Sequence, residues 1–108
     1  MADVKEITDA TFEEEVMKSE KPAIVDFWAD WCMPCKAMGP VIEEIAGTLT
    51  DKVKICKINV DQNTKMATDL GVMNIPTMLF FKDGQEKTRV TGVVSKEDLI
   101  SKANELLG

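Results

Sequence analysis

Cys32 and Cys35 stand three positions apart in the stretch Trp31-Cys32-Met33-Pro34-Cys35-Lys36. Cysteines at this spacing can clip a metal, staple a loop or exchange electrons with another disulfide. A structural zinc site takes four ligands, usually two such pairs or one pair with histidines. The chain has 3 cysteines and 0 histidines. Cys56 is therefore the one other soft ligand, and a zinc dimer or a carboxylate would have to complete the shell. A staple across so short a loop removes little chain entropy, and a cytosol keeps most thiols reduced. A reversible dithiol is the reading the context favours, because the pair lies next to a βα unit. The missing histidine also removes Cys-His pairs and Ser-His-Asp triads.

The elements that must position the pair can be read on either side of it. Ala23-Ile24-Val25-Asp26-Phe27-Trp28-Ala29 is almost continuously apolar, as a strand buried on both faces is. After the cysteines, Met38, Val41, Ile42, Ile45, Ala46 and Leu49 recur at helical spacing. Pro34 suits a first helical turn, where its missing N–H is not needed. Pro40 lies deeper and leaves the Lys36 carbonyl without a donor, which predicts a kink. Cys32 thus falls at a helix N-terminus, where free N–H groups and the dipole stabilise a thiolate. Cys35 lies about one turn on, facing the same side. Cys32, the more N-terminal and the more exposed on this reading, is the expected nucleophile. Cys35, turned inward, is the expected resolving thiol.

Further out, Val4–Ile7 reads as a short strand. Thr11 with Glu14 resembles a capping box for a helix carrying Phe12, Val16 and Met17. Val53–Val60 reads as a strand. Asp61 or Asn63 is the expected cap of a short helix with Met66, Ala67 and Leu70, ended by Gly71. Thr77–Phe81 and Lys87–Val90 flank Lys82-Asp83-Gly84-Gln85, whose Asp-Gly marks an antiparallel hairpin. Ser95 with Asp98 opens a last helix with Leu99, Ile100, Ala103, Leu106 and Leu107 on its buried stripe. The order βαβαβα then ββα implies an α/β fold with a mixed sheet and helices on both faces.

The whole chain has 108 residues, 44% hydrophobic and 30% charged, with net charge −6. This suits one globular domain, residues 1–108, with no internal boundary. The charge disfavours a phosphate backbone as partner. No apolar run approaches the ~20 residues of a membrane helix. The acidic N-terminus MADVKEITDATFEEE lacks an apolar signal core, so a cytoplasmic protein is expected.

The residues together resemble the thioredoxin family. The likeness is carried by Trp28-Ala29, Trp31-Cys32, the Cys-x-Pro-Cys core, Lys36, Pro40, Asp26, Lys57, Asn59-x-Asp61, Ile75-Pro76-Thr77, Gly84 and Gly92. It runs from about Ile7 to Leu107. It implies the thioredoxin fold, a central mixed five-stranded sheet flanked by four helices in three layers. It also implies a monomeric protein disulfide reductase that binds no cofactor and no metal. Its redox-active group would be the Cys32–Cys35 disulfide, recycled by a thioredoxin reductase, with no nucleic-acid or membrane partner. Asp26 would then exchange a proton with Cys35, with a pKa raised by its apolar flanks. Lys57, on one face with Val53 and Ile55, would partner Asp26 or extend to solvent. Pro76 would be cis, turning Ile75 towards a substrate that pairs as an added strand. Gly92 would admit that substrate, and Trp31, Met33 and Pro34 would border it. Trp28 reads as packing that supports the site, and Cys56 as a core thiol.

Three positions depart from the family pattern. Met33 stands where glycine is usual, Asn74 where glycine is frequent, and Val93 is a lesser departure. Met33 is expected to change the redox potential or partner choice without changing the mechanism. The competing functions are a thiol oxidant or isomerase on the same fold, and a binding subunit whose redox activity is incidental.

Overall fold

The computed structural model describes residues 4–49 and 51–107. Five strands form one sheet in the order β1-β3-β2-β4-β5: β1 Val4–Ile7, β2 Ala23–Trp28, β3 Lys54–Asn59, β4 Thr77–Lys82 and β5 Gln85–Thr91. β1 and β2 run parallel to β3, whereas β4 is antiparallel to both β2 and β5. Three α-helices, α1 Met33–Leu49, α2 Thr64–Asp69 and α3 Lys96–Leu107, join a π-helical segment at Glu13–Met17.

The continuous apolarity of β2 follows from its place between β3 and β4 with helices on both faces. Ile24 packs with Met38, Ile42 and Ile45 of α1 and with Leu99 and Ala103 of α3. Val25 and Phe27 point the other way, to Phe12, Val16 and Ala67. Phe12 meets Phe81 edge-on, ring centroids 5.8 Å apart. Two helical layers therefore enclose the sheet, as expected. Lys57 falls on the α1 face beside Asp26, its register partner in β2.

The hairpin forms as the Asp-Gly pair requires. Asp83 and Gly84 have φ of 56° and 76°, a left-handed pair that suits these residue types. At Gly84 a Cβ would also lie 3.0 Å from the Met17 carbonyl oxygen. Ser95 caps α3 by accepting the Asp98 N–H at 3.1 Å.

Other local readings are corrected. The expected first helix is a single π turn, closed by Lys18 N–H to the Glu13 carbonyl. Thr11 and Glu14 form no box. The reciprocal pair is Thr8 with Thr11, each accepting the other's N–H on its hydroxyl, at 3.3 and 2.9 Å. Glu15 is drawn instead to Lys5 and Lys54, at 3.1 and 2.9 Å.

Neither Asp61 nor Asn63 caps α2 with its side chain. Asp9 does so from across the fold, its two carboxylate oxygens accepting the N–H groups of Lys65 and Met66 at 3.1 and 3.0 Å. Asn63 is occupied with Asp9 N–H and the Asn59 carbonyl. At the other end Arg89 donates to the carbonyls of Leu70 and Gly71, at 2.8 and 3.4 Å, while paired with Glu86. A helix of six residues is too short to stand alone, so α2 depends on clamps from β5 and from the segment after β1.

Asp9→Ala is expected to destabilise the protein by about 1 kcal/mol, the usual scale of a lost cap. Asp9→Asn should lose far less. Urea unfolding checks this through a lower midpoint at unchanged slope; equal midpoints for wild type and Asp9→Ala would refute it.

Candidate functional site

The end of β2 and the start of α1 are joined by Ala29-Asp30-Trp31-Cys32. The Lys36 N–H donates to the Cys32 carbonyl at 3.1 Å, so Cys32 is the residue that opens α1. Its sulfur also takes the role of a capping acceptor. The Cys35 N–H donates to Cys32 Sγ at 3.2 Å, and Pro34 between them has no N–H to offer. A helix start leaves such N–H groups without intrahelical partners. Here one of them aims at sulfur, where it favours negative charge.

Cys32 and Cys35 are joined as a disulfide, Cα atoms 5.2 Å apart. Their exposures are 3% and 4%. The expectation that Cys32 would be the more exposed is not met, because the turn before it and the loop after α2 close around both sulfurs. Cys32 Sγ lies 3.8 Å from the carbonyl oxygen of Ile75. The Ile75-Pro76 bond is cis. The Pro76 carbonyl accepts the Gly92 N–H at 2.8 Å, and Gly92 has φ of 92°, a conformation suited to glycine. Asn74 contributes its carbonyl to the Thr77 hydroxyl. Ile75 thus faces the cysteine pair, and the cis bond and the Gly92 contact shape the loop that carries it.

Around them the surface is apolar and open. Trp31 is 67% exposed and Met33 71%. The Trp31 indole N–H donates to Asp61 at 2.9 Å, which fixes the ring beside the disulfide. The sequence reading gave Asp61 only a capping role. Its partnership with Trp31 spans thirty positions and leaves no local pattern. Val93 and Met73 are also exposed large hydrophobic residues, each in a loop close in sequence to the Pro76–Gly92 contact.

Behind the disulfide, Cys35, Asp26, Trp28, Lys36, Gly39 and Lys57 line a pocket of ≈ 150 Å³. Asp26 is buried, and burial pushes its pKa up to about 7, with the charge of Lys57 pulling more weakly downward. Asp26 Oδ1 and Trp28 Nε1 have no hydrogen-bond partner among the described residues. Both belong to residues of this pocket, which has room for water. The Lys57 ammonium sits 5.1 Å from the centroid of the Trp28 ring, a cation–π contact. Lys57 therefore influences Asp26 while resting on Trp28.

The third cysteine stands apart. Cys56 is fully buried among Val25, Ile58 and Leu79, and burial pushes its thiol up to about 11. Among the described residues no group of three or more cysteine and carboxylate side chains is placed to hold a metal.

The thioredoxin family model matches residues 3–105. A thioredoxin of Rickettsia bellii is 46% identical over 98 residues, covering 91% of this chain and 93% of its own. Thioredoxin 1 of Synechococcus elongatus is 48% identical over 93 residues, covering 86% and 87%. A thioredoxin of Pseudomonas aeruginosa is 44% identical over 93 residues, covering 86% of each chain. Similarity of this extent takes in the strand, the helix start and the cis-proline loop that surround the two sulfurs. The chain is a thiol–disulfide oxidoreductase and belongs to the thioredoxin family.

Proposed function

We propose that the protein reduces disulfides of other proteins and is itself reduced by a thioredoxin reductase. The observation that carries this is the Cys32 sulfur at the opening of α1, held by the Cys35 N–H and faced by the Ile75 carbonyl. In the reduced form, Cys32 as thiolate attacks a substrate disulfide. A mixed disulfide forms and one substrate thiolate leaves. Asp26 takes the Cys35 proton, through water in the pocket they share. Cys35 then attacks Cys32 Sγ, releases the second substrate thiol and closes the disulfide. Lys57 tunes Asp26 by charge. Trp31, Met33, Pro34, Ile75, Pro76 and Gly92 form the rim that receives the substrate, which pairs as a strand alongside Ile75.

The same reading takes residues 1–108 as one domain, acting as a monomer in the cytoplasm with no bound cofactor or metal. No helix among the described residues is long and apolar enough to cross a membrane. The net charge of −6 favours protein partners with basic patches over nucleic acid.

The protein should accelerate insulin reduction by dithiothreitol, and Cys32→Ser should abolish that. Cys35→Ser should trap substrates as mixed disulfides on Cys32. No acceleration and no trapped partner would defeat the proposal.

Asp26 gives a pH dependence of known sign. Its ordinary value is 3.8 and its native value about 7. Below about pH 4 both native and unfolded states hold the proton, and burial of the acid brings no ionisation penalty. Between these values the unfolded chain releases the proton and the native one keeps it. Stability therefore falls as pH rises, by up to about 1.4 kcal/mol per unit. Above about 7 the loss levels off, on the order of 4 kcal/mol. The stability of Asp26→Asn relative to wild type should thus climb from pH 4 to pH 8, measured by unfolding across that range. A constant difference would mean that Asp26 ionises as an ordinary carboxylate.

Met33 between the cysteines is proposed to move the redox potential or the partner choice. Met33→Gly should then differ from wild type in a glutathione titration or in kinetics with several reductases. Identity in both would count against any special effect of Met33. A wild-type potential well above the cytosolic glutathione poise would instead favour the oxidant reading.

A further inference from the structure

Exposure divides the methionines sharply. Met38 and Met78 are fully buried, Met66 is partly buried and Met17 is 36% exposed. Met33 and Met73 stand at 71% and 89%. These are the two most exposed methionines among the described residues, and each lies within two positions of a residue at the disulfide. Met33 directly follows Cys32. Met73 lies two residues before Ile75, whose carbonyl oxygen is 3.8 Å from Cys32 Sγ. Cys32 itself is only 3% exposed. A partner sulfur that reaches it must therefore press against the side chains standing out around it.

We propose that Met33 and Met73 form an oxidation site for hydroperoxides, and that their sulfoxides weaken the docking of disulfide substrates. The inference rests on the reading of this face as the substrate rim. A thioether lone pair attacks a peroxide oxygen. The S–O bond forms as the O–O bond breaks, and the leaving hydroxide or alkoxide takes the proton of the sulfur-bound hydroxyl, giving water or an alcohol and the sulfoxide. Sulfur loses two electrons and the peroxide gains them. An apolar, flexible side chain becomes a polar one. When a partner covers it, the new S=O group must be dehydrated with no donor built to meet it.

The disulfide form is the state in which this chemistry is undiverted. Cys32 and Cys35 are then already oxidised. The remaining thiol, Cys56, is sealed in the core and held protonated, so it offers peroxide no thiolate. The oxidant is left with thioethers, and the two most accessible among the described residues are Met33 and Met73. Trp31 beside them keeps its hydrogen bond to Asp61 and is not altered by this step. The sulfoxides thus change the contact surface and leave the electron-carrying pair intact.

The test treats the disulfide form with hydrogen peroxide, removes the excess with catalase and maps oxygen uptake by peptide mass spectrometry. Insulin reduction by dithiothreitol is then compared with each sample's own untreated control. Met33 and Met73 should each gain one oxygen ahead of Met17 and Met66. The kcat/KM for insulin should fall about tenfold, mainly through KM. Methionine sulfoxide reductases should restore it. The double variant Met33→Leu, Met73→Leu should keep its own untreated value after peroxide. Equal oxidation of Met17 and Met66, full sulfoxide at both rim positions with unchanged kcat/KM, or an equal loss in the double variant would each overturn the inference. If the untreated protein fails to accelerate insulin reduction, the disulfide-reductase reading falls and this inference with it. Acceleration that survives both sulfoxides defeats this inference alone.

Discussion

One short contact organises the molecule: the Cys35 N–H directed at the sulfur of Cys32. A helix must begin somewhere, and its first N–H groups have no partners of their own. Here α1 begins just after Cys32, so that one such group aims at the sulfur. For the sulfur to be there, β2 must deliver the chain to the right edge of the sheet. That strand lies between β3 and β4, with apolar residues directed to both helical layers. The sheet thus acts as the support and the helix start as the chemical device.

The same burial that steadies β2 sets the cost at Asp26. A carboxylate on the α1 face, among apolar neighbours and with one oxygen unpartnered, is a poor choice for stability alone. Burial instead raises its proton affinity to near neutrality, in a pocket that Cys35 also lines. The charge of Lys57 pulls the other way more weakly than burial does, and its ammonium rests on the Trp28 ring. Burial thus costs stability at a single position and moves its titration towards neutrality.

Much of this was legible in the sequence where the signal was local. The apolar run at β2, the helical spacing after Cys35, the Asp-Gly turn and the Ser95 cap each depend on residues within a few positions, and each is found. Resemblance supplied the cis proline, which no local pattern encodes. What escaped was long-range. Asp9 caps a helix that starts more than fifty positions later, Arg89 closes its far end, and Asp61 holds Trp31. Neighbouring residues with equal capping chemistry, Asp61 and Asn63, drew the sequence reading instead. The exposure of Cys32 was misjudged for a similar reason. Adjacency to a helix start fixes the direction of a side chain, but folding of the Ile75 loop over it decides its accessibility.

Three cysteines offer several pairings, and a carrier that shuffled among them would lose track of its own oxidation level. The sheet prevents this. Cys56 lies at the centre of β3, fully enclosed, on the face opposite the one occupied by Asp26 and α1. Its thiol has no path to Cys32 or Cys35 short of unfolding. The molecule therefore has a single switch with two settings, and the odd sulfur is spectator mass. An electron pair entrusted to this chain has one address only.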